Sequence, residues 1–320
     1  MARMTAAPTE APSGRSEVVR ATCHVCGAQD AQGLPFRYAF KNRFLYGVKC
    51  LRCSLIFVEP QPTALEIAAM YDEAYFTNCT DTCGAHGPAA YMEMARNSDR
   101  QRRAEAERLD ALIRRRISGS GRFLEVGCGP GFFLHEMREL GWSAHGLEIS
   151  EYAVRHASGT LGLQVTRGDI VDGIFEDGRF DAIFLGDVLE HLPDPLASLK
   201  LLKRWLRPDG VLAIAVPSTM NLASARLGLA IYRTRGRFKT LRIPPYHLFE
   251  YTPRSLRATL EAAGFRRVEI RQSAVPLRRM GLRGNPMENA GKVTLQVMAL
   301  LTSTLWNRGG DRLTAIASKG

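Results

Sequence analysis

The sequence predicts an α/β protein, a parallel, doubly wound sheet preceded by a small cysteine-bearing module. Three observations carry this. From residue 122 onward, apolar strand-like runs alternate with helical stretches, the pattern of repeated strand–helix–strand units. The first of those strands ends in Glu125-Val-Gly127-Cys-Gly129-Pro-Gly131, a glycine-rich turn that lets a backbone approach a ligand and enter a helix. Upstream, Cys23-x-x-Cys26 and Cys50-x-x-Cys53 are separated by 23 residues, which is metal-knuckle spacing.

Length and composition agree with a folded protein of about two domains. The chain has 320 residues, 45% hydrophobic and 23% charged, which excludes wholesale disorder, a collagen-like chain and a disulfide mini-scaffold. The net charge is +11, and its placement is uneven. Residues 1–120 carry +3, residues 121–217 carry −5, and residues 218–320 carry +13. The excess therefore points to an anionic partner of the last third, an acceptor or a membrane face. Met1 to Arg20 lacks the apolar core of a signal peptide, so the expected location is cytoplasmic, with reduced thiols. The longest uncharged late stretch, Val293 to Asn307, is short of the ~20 residues of a membrane span.

The elements follow in order. Residues 1–20 read as a disordered tail. Residues 21–58 hold the cysteine pairs among strands at Phe36–Phe40, Phe44–Val48 and Leu55–Val58. Pro60 and Pro62 break the chain, and Thr63 caps a helix. Residues 59–120 read as a helical linker or lid, with 63–118 mostly helix and a flexible joint at Gly119, Ser120 and Gly121. The domain 121–320 has strands at Arg122–Val126, Ser143–Glu148, Gln164–Arg167, Phe180–Gly186, Gly210–Val216, Arg267–Gln272 and Arg312–Ser318. Helices are expected near 131–140, 151–160, 195–206 and 253–263, with inserts at 218–249 and 276–309.

The strand ends carry the candidate chemistry. Gly127, Gly129 and Gly131 form the ligand-facing loop; a plain strand–helix turn is the rival. Phe132 stands where a dinucleotide fingerprint needs glycine, which disfavours NAD. Glu148 ends the second strand, placed to accept both hydroxyls of a ribose, or else to stabilise a helix start. Asp169 and Ile170 close the third strand. Asp187-Val-Leu-Glu190-His191 follows the fourth. His191 suits a general base at neutral pH; the rival roles are metal binding and capping of the helix after Pro195. The four cysteines suit a tetrahedral structural zinc. His24 is not expected to ligate. Cys79 and Cys83 read as free thiols, with His86 the nearest further ligand, and Cys128 as a packing residue. Arg226, Arg233, Arg235, Arg237, Lys239 and Arg242 crowd the first insert, suited to a phosphate or carboxylate or to a solvated surface. Val297, Met298, Leu301 and Leu305, with Trp306, mark one helical face of the second insert. That face packs on the domain, lies on a membrane surface or forms a dimer contact.

The runs FLEVGCGPGFFL, GLEIS, GDI, FDAIFLGDVLEHLPDP, LRPDGVLAIAVPS and LFEYTPRSLRATLEAAGF occur in this order. Together they resemble the class I S-adenosylmethionine-dependent methyltransferases, in the branch similar to ubiquinone-biosynthesis O-methyltransferases. The resemblance covers about 120–272 and the strand at 312–318. It implies a Rossmann-like seven-stranded methyltransferase sheet, here with a small N-terminal zinc ribbon and helical inserts. It also implies S-adenosylmethionine as cofactor. Gly127, Gly129 and Gly131 would pass its methionine part, with Glu125 near its amino group. Glu148 would hold the ribose, Asp169 and Ile170 the adenine, and Leu185 and Gly186 the methyl-donor end. Some relatives hold a divalent metal on an element like Asp187, Glu190 and His191. Relatives also carry a histidine like His247 facing the acceptor; packing is its rival role. The cysteine segment resembles a zinc-binding module on some bacterial methyltransferases, with Ser54 where glycine usually follows.

The expected function is methyl transfer, to oxygen, on a small or glycan-like acceptor, anionic or lipid-linked, with His191 or His247 as base and Glu190 beside it. An RNA methyltransferase using the ribbon is the rival enzyme, disfavoured because the ribbon is near neutral and lacks a basic–aromatic patch. A scaffold with a dead cofactor site is the non-enzyme rival. Pro244-Pro245-Tyr246 follows Ile243 and the fifth strand, so it is not the motif of adenine-N6 DNA methyltransferases. The sequence does not specify an oligomeric state.

Overall fold

The computed structural model describes residues 18–70, 73–77, 92, 99–117, 121–242, 247–277 and 286–320. Cys79, Cys83, His86, the Gly119-Ser120 joint, Ile243 with Pro244-Pro245-Tyr246, and tail residues 1–17 lie outside that set. The chain divides into two compact units. One comprises Met1–Glu66, Pro217–Thr259 and Arg271–Leu313; the other comprises Ile67–Val216, Leu260–Ile270 and Thr314–Gly320. The two segments read from sequence as inserts thus fall largely in the same unit as the cysteine pairs.

The first unit is built on a six-stranded sheet. Its strands are β1 (Val18–Arg20), β2 (Asp30–Phe40), β3 (Arg43–Cys50), β4 (Ile56–Glu59), β10 (Lys239–Leu241) and β11 (Phe249–Glu250). The order is β1-β2-β3-β4-β11, with β10 paired to β2. One edge of β2 holds β1 at residues 30–32 and β10 at residues 36–38. Pro35 sits between these two pairings, where the β2–β3 register shifts, as expected of a residue that cannot donate to a ladder. Residues 18–20 of the expected disordered tail thus form an edge strand.

The first insert supplies α7 (Ala223–Thr234) as well as β10. On its inner side, Leu229 joins Leu34, Phe36 and Ile56 in a small core, while Leu227, Ile231 and Tyr232 stay exposed. The second insert forms α9 (Pro286–Trp306). Its expected packing face is turned outward: Val297, Met298, Leu301 and Leu305 are exposed, as is Trp306 at 65%. Gln296, Ala299 and Ser303 are the buried positions. Hydrogen bonding explains this orientation. The Gln296 amide donates to the Val275 carbonyl at 2.9 Å and to Asp311 Oδ2 at 3.2 Å, and a buried polar group requires such partners.

The second unit is built on a seven-stranded sheet in the order β12-β13-β9-β8-β5-β6-β7. The strands are β5 (Arg122–Val126), β6 (Ser143–Glu148), β7 (Gln164–Arg167), β8 (Phe180–Gly186), β9 (Leu206–Pro217), β12 (Arg266–Ser273) and β13 (Arg312–Ser318). β5 runs parallel to β6 and β8, β6 to β7, and β8 to β9. Strand order reverses between β5 and β8, which makes their carboxyl ends the expected ligand crevice. The register puts Val126 opposite both Leu147 and Leu185, so these ends are level.

Among the described residues, the span expected to be mostly helical contains α1 (Ala64–Ala68), α2 (Glu73–Thr77) and α3 (Asp99–Arg114). Thr63 does cap α1: its N–H donates to Glu66 Oε2 at 2.9 Å, and its Oγ1 accepts from the Glu66 N–H at 3.3 Å, a capping box. The crossover helices α4 (Phe132–Glu139), α5 (Glu151–Gly159), α6 (Pro195–Trp205) and α8 (Pro253–Ala262) fall where expected. Asp194 starts α6 by accepting from the Ala197 N–H at 2.9 Å, with Pro195 in the first turn. Ala106, Leu109 and Ile113 of α3 pack against Phe123, Leu134 and Met137 in the core beneath the sheet.

Candidate active site

The glycine loop leaves β5 with three residues in the left-handed region: Gly127 at φ 65°, Gly129 at 52° and Gly131 at 87°. Space as well as conformation demands glycine. A Cβ on Gly131 would lie 2.6 Å from Leu163 Cδ1 and 2.8 Å from Ala157 Cβ. One on Gly127 would lie 2.6 Å from Val188 Cγ2, so the segment after β8 packs directly on the loop.

Glu148 closes the other side. Its Oε2 accepts from the Gly129 N–H at 2.9 Å, and its Oε1 accepts from the Ser150 N–H at 2.8 Å. The Ile149 N–H also favours the carboxylate, and with two lone pairs on each oxygen the group keeps acceptor capacity beyond these bonds. Glu125 is buried, with only 6% exposed, and its Oε2 finds no hydrogen-bond partner among the described residues. Burial, together with the Glu148 charge, pushes its carboxyl well above the usual range. Burial also raises Glu148, against the lowering effect of the backbone N–H groups.

Asp169 is exposed at the end of β7, where its N–H donates to Asp172 Oδ2 at 2.8 Å, while Ile170 is buried. Leu185 is wholly buried and has no surface to offer a ligand; Gly186 is half-buried. Burial pushes the Cys128 thiol well up, which fits a packing residue rather than a nucleophile.

The turn after β8 is unusual. Asp187 has φ 55°, a conformation that costs a non-glycine residue and concentrates at functional sites. A single 3-10 turn follows over Leu189–His191. Glu190 is buried at 1% exposure, and its Oε1 lies 3.8 Å from Nε2 of the half-buried His191. Among the described residues, Glu190 and His191 are placed so that each could offer a ligand atom to a metal ion, and Asp187 is not grouped with them. His247 belongs to the first unit, where it lines a cavity beside β11.

The cysteine pairs converge. Their four sulfurs all lie within 4.8 Å of one another, with Cys23–Cys53 and Cys26–Cys50 each at 3.5 Å. Tetrahedral zinc with Zn–S near 2.3 Å needs S···S of about 3.8 Å, so the donor set fits. The two knuckles match. The Gly27 N–H donates to the Cys23 carbonyl at 3.0 Å and the Ser54 N–H to the Cys50 carbonyl at 3.1 Å. Gly27 has φ 68° and Ser54 φ 65°, so Ser54 holds the glycine-type conformation the module needs. His24 packs edge-on against Phe57 and Phe249. No helix among the described residues is long and apolar enough to cross a membrane. Sequence reading missed the buttress Val188, the Ser150 N–H that fixes Glu148, and the cavity around Tyr38 and Glu250.

The family model described as "Methyltransferase domain" matches residues 96–270. The chain is 30% identical over 165 residues to the O-methyltransferase resE of Aspergillus sclerotiorum, covering 48% of this chain and 62% of that one. It is 29% identical over 170 residues to the ubiquinone biosynthesis O-methyltransferase of Xanthomonas axonopodis pv. citri, covering 51% and 70%. The chain thus spans less than two thirds of the length of the first of these relatives. A SAM-dependent methyltransferase from Archaeoglobus fulgidus aligns with a TM-score of 0.46 at 23% identity, over 68% of this chain and 94% of that one. With more than half its length matched by the family model, the chain belongs to the class I S-adenosylmethionine-dependent methyltransferases.

Proposed function

We propose that this protein methylates an oxygen of a small-molecule acceptor, using the Glu190–His191 turn as its base. The observation that carries this reading is the packing of Val188 on Gly127, which sets that turn against the glycine loop. The O-methyltransferase names of its relatives support the choice of oxygen.

The residues present fit S-adenosylmethionine. Gly127, Gly129 and Gly131 hold left-handed φ values that turn the backbone, rather than side chains, toward the strand ends. The orphaned Glu125 oxygen suits a cation, and the remaining acceptor capacity of Glu148 suits ribose hydroxyls. Asp169 and Ile170 would meet the adenine. Bound there, the cofactor supplies an electrophilic methyl group on a sulfonium. Glu190 beside Nε2 of His191 favours the tautomer with the proton on that atom. Nδ1 then takes the proton of the acceptor hydroxyl as its oxygen gains the methyl group. The glycine loop and Glu148 hold the reactants in line. Incubation with methyl-labelled cofactor and a panel of phenols, alcohols and sugars is expected to yield a methyl ether. Label found only on nitrogen, carbon or RNA would contradict the reading.

Proton release gives a separate check on Glu125. In the ligand-free protein its carboxyl holds a proton well above the usual range. A cation beside it favours the ionised form, so binding releases protons and tightens as pH rises. Calorimetry in buffers of different ionisation enthalpy is expected to show this; buffer-independent heats would contradict it.

The same reading assigns Cys23, Cys26, Cys50 and Cys53 to one structural zinc, supported by their 3.5 Å pairs. A lipid-linked acceptor is supported by the exposed apolar stripe of α9, flanked by Lys292 and Arg308, a pattern suited to an anionic membrane face. The exposed Arg235, Arg237 and Arg242 support an anionic acceptor equally.

A further inference from the structure

Helix α9 is held with its polar side inward. The Gln296 amide donates to the Val275 carbonyl at 2.9 Å and to Asp311 Oδ2 at 3.2 Å. At the helix end, the Gln272 N–H donates to Asn307 Oδ1 at 2.6 Å. All of these residues belong to the first unit. Rolling the helix to bury its apolar side would break these bonds and strand buried polar groups, so the outward apolar face is fixed in place. On that face Val297, Met298, Leu301 and Leu305 recur at steps of three and four residues, and Trp306 ends the stripe. No charged residue occurs between Lys292 and Arg308. An apolar stripe with an aromatic residue at its margin and basic residues at both ends suits a helix lying in the plane of a bilayer interface. It does not suit a span, since α9 is not long and apolar enough to cross a membrane.

We propose that α9 docks this protein on an anionic lipid bilayer, with Met298, Leu301, Leu305 and Trp306 at the acyl-chain boundary and Lys292 and Arg308 at the level of the phosphates. The inference goes beyond the methylation reading and holds for any acceptor. Charge selects a bilayer over a second copy of the chain. In an antiparallel pair of α9 helices Lys292 would approach the partner's Arg308, and in a parallel pair each would meet its own counterpart. Self-pairing thus sets like charges together, which disfavours it. Residues 277–312 hold six basic and two acidic residues. Helix α7, which touches α9, carries the exposed Arg226 and is followed by the exposed Arg235. An anionic surface attracts all of these charges.

Two kinds of vesicle test this with the full chain and no acceptor present: phosphatidylglycerol mixed with phosphatidylcholine, and phosphatidylcholine alone. The wild type is expected to sediment with the first, at least about tenfold more tightly than with the second, and to come off as salt rises. Trp306 is a built-in depth probe, because it is 65% exposed whereas Trp142 and Trp205 are buried. Lipids brominated on their acyl chains should quench it. The triple variant Met298→Ser, Leu301→Ser, Leu305→Ser alters only exposed side chains, so its melting temperature should hold. Its binding should fall by at least about 100-fold. Arg308→Glu should narrow the preference for anionic vesicles. No binding by the wild type, equal binding to both vesicles, or undiminished binding by the folded triple variant would overturn the proposal. So would a dimer that the triple variant abolishes, in a chain that ignores vesicles, since the face would then belong to a second copy. No methyl transfer is read out, so failure here leaves the methylation reading standing, and the reverse.

Discussion

Replacing His191 by alanine is expected to lower kcat for methyl transfer by about 10²–10⁴-fold, the usual worth of a positioned general base. Cofactor affinity should be unchanged, because His191 is not among the residues assigned to hold it. The size follows from the site. A neutral alcohol or phenol is a poor nucleophile at a sulfonium, and its proton must leave as the carbon–oxygen bond forms. Glu190 is buried at 1% exposure with Oε1 3.8 Å from Nε2 of the imidazole, so on the proposed reading its charge favours the imidazolium that forms. Glu190→Gln should therefore cost less than His191→Ala and should shift the pH profile. In the wild type, activity falls as pH drops through the titration of the imidazole, since the protonated ring accepts nothing. In His191→Ala that limb of the profile disappears. Steady-state kinetics across pH, with cofactor affinity measured in parallel, check both points. A variant retaining wild-type kcat and pH profile would remove His191 from the mechanism.

Metal removal is expected to have a still larger effect on structure. Structural zinc sites contribute on the order of 10–16 kcal/mol of apparent binding free energy in small peptides at neutral pH. Whole domains are stable by only about 5–15 kcal/mol. Cys23 and Cys26 precede β2, whereas Cys50 ends β3 and Cys53 lies in the turn before β4, so the site ties together three strands of the six-stranded sheet. Prolonged chelation, or Cys50→Ser with Cys53→Ser, should therefore melt that sheet. The loss should reach beyond the cysteine segment. β10 pairs with β2, and β11 with β4, so amides at 239–241 and 249–250 should lose hydrogen-exchange protection together with 30–40. Elemental analysis of the intact protein should find about one zinc per chain. A metal-free protein with full protection in these strands would defeat the assignment.

The elements that were legible share a physical cause. β5, β8 and β9 lie inside the seven-stranded sheet and read as near-continuous apolar runs, and Ser150 and Asp194 cap the helices that follow β6 and β8. The glycine loop was legible because only glycine fits its φ values and its contacts with Leu163 and Val188. The first insert was not. Leu227 and Ile231 of α7 are exposed, between arginines, so no buried face marks a helix. β10 is three residues long and pairs with a strand about 200 residues away. Apolar spacing left packing, membrane and dimer roles open for the α9 face, and its exposure removes the first. The hydrogen bonds of Gln296 turn the polar side inward instead. The cavity around Tyr38 and Glu250 left no signal, since it exists only once those distant segments meet. The raised Glu125 carboxyl likewise depends on burial and on Glu148, neither of which spacing reveals.

The central claim is that the loop at Gly127–Gly131 and Glu148 bind S-adenosylmethionine. Titration calorimetry of the purified full chain with that compound tests it most directly, alongside Glu148→Ala with its melting temperature recorded. The account predicts one site in the wild type. Losing two charge-assisted hydrogen bonds, worth about 1.5–3 kcal/mol each, should weaken binding by at least about 100-fold in the folded variant. No binding by the wild type, or undiminished binding by Glu148→Ala, would contradict it.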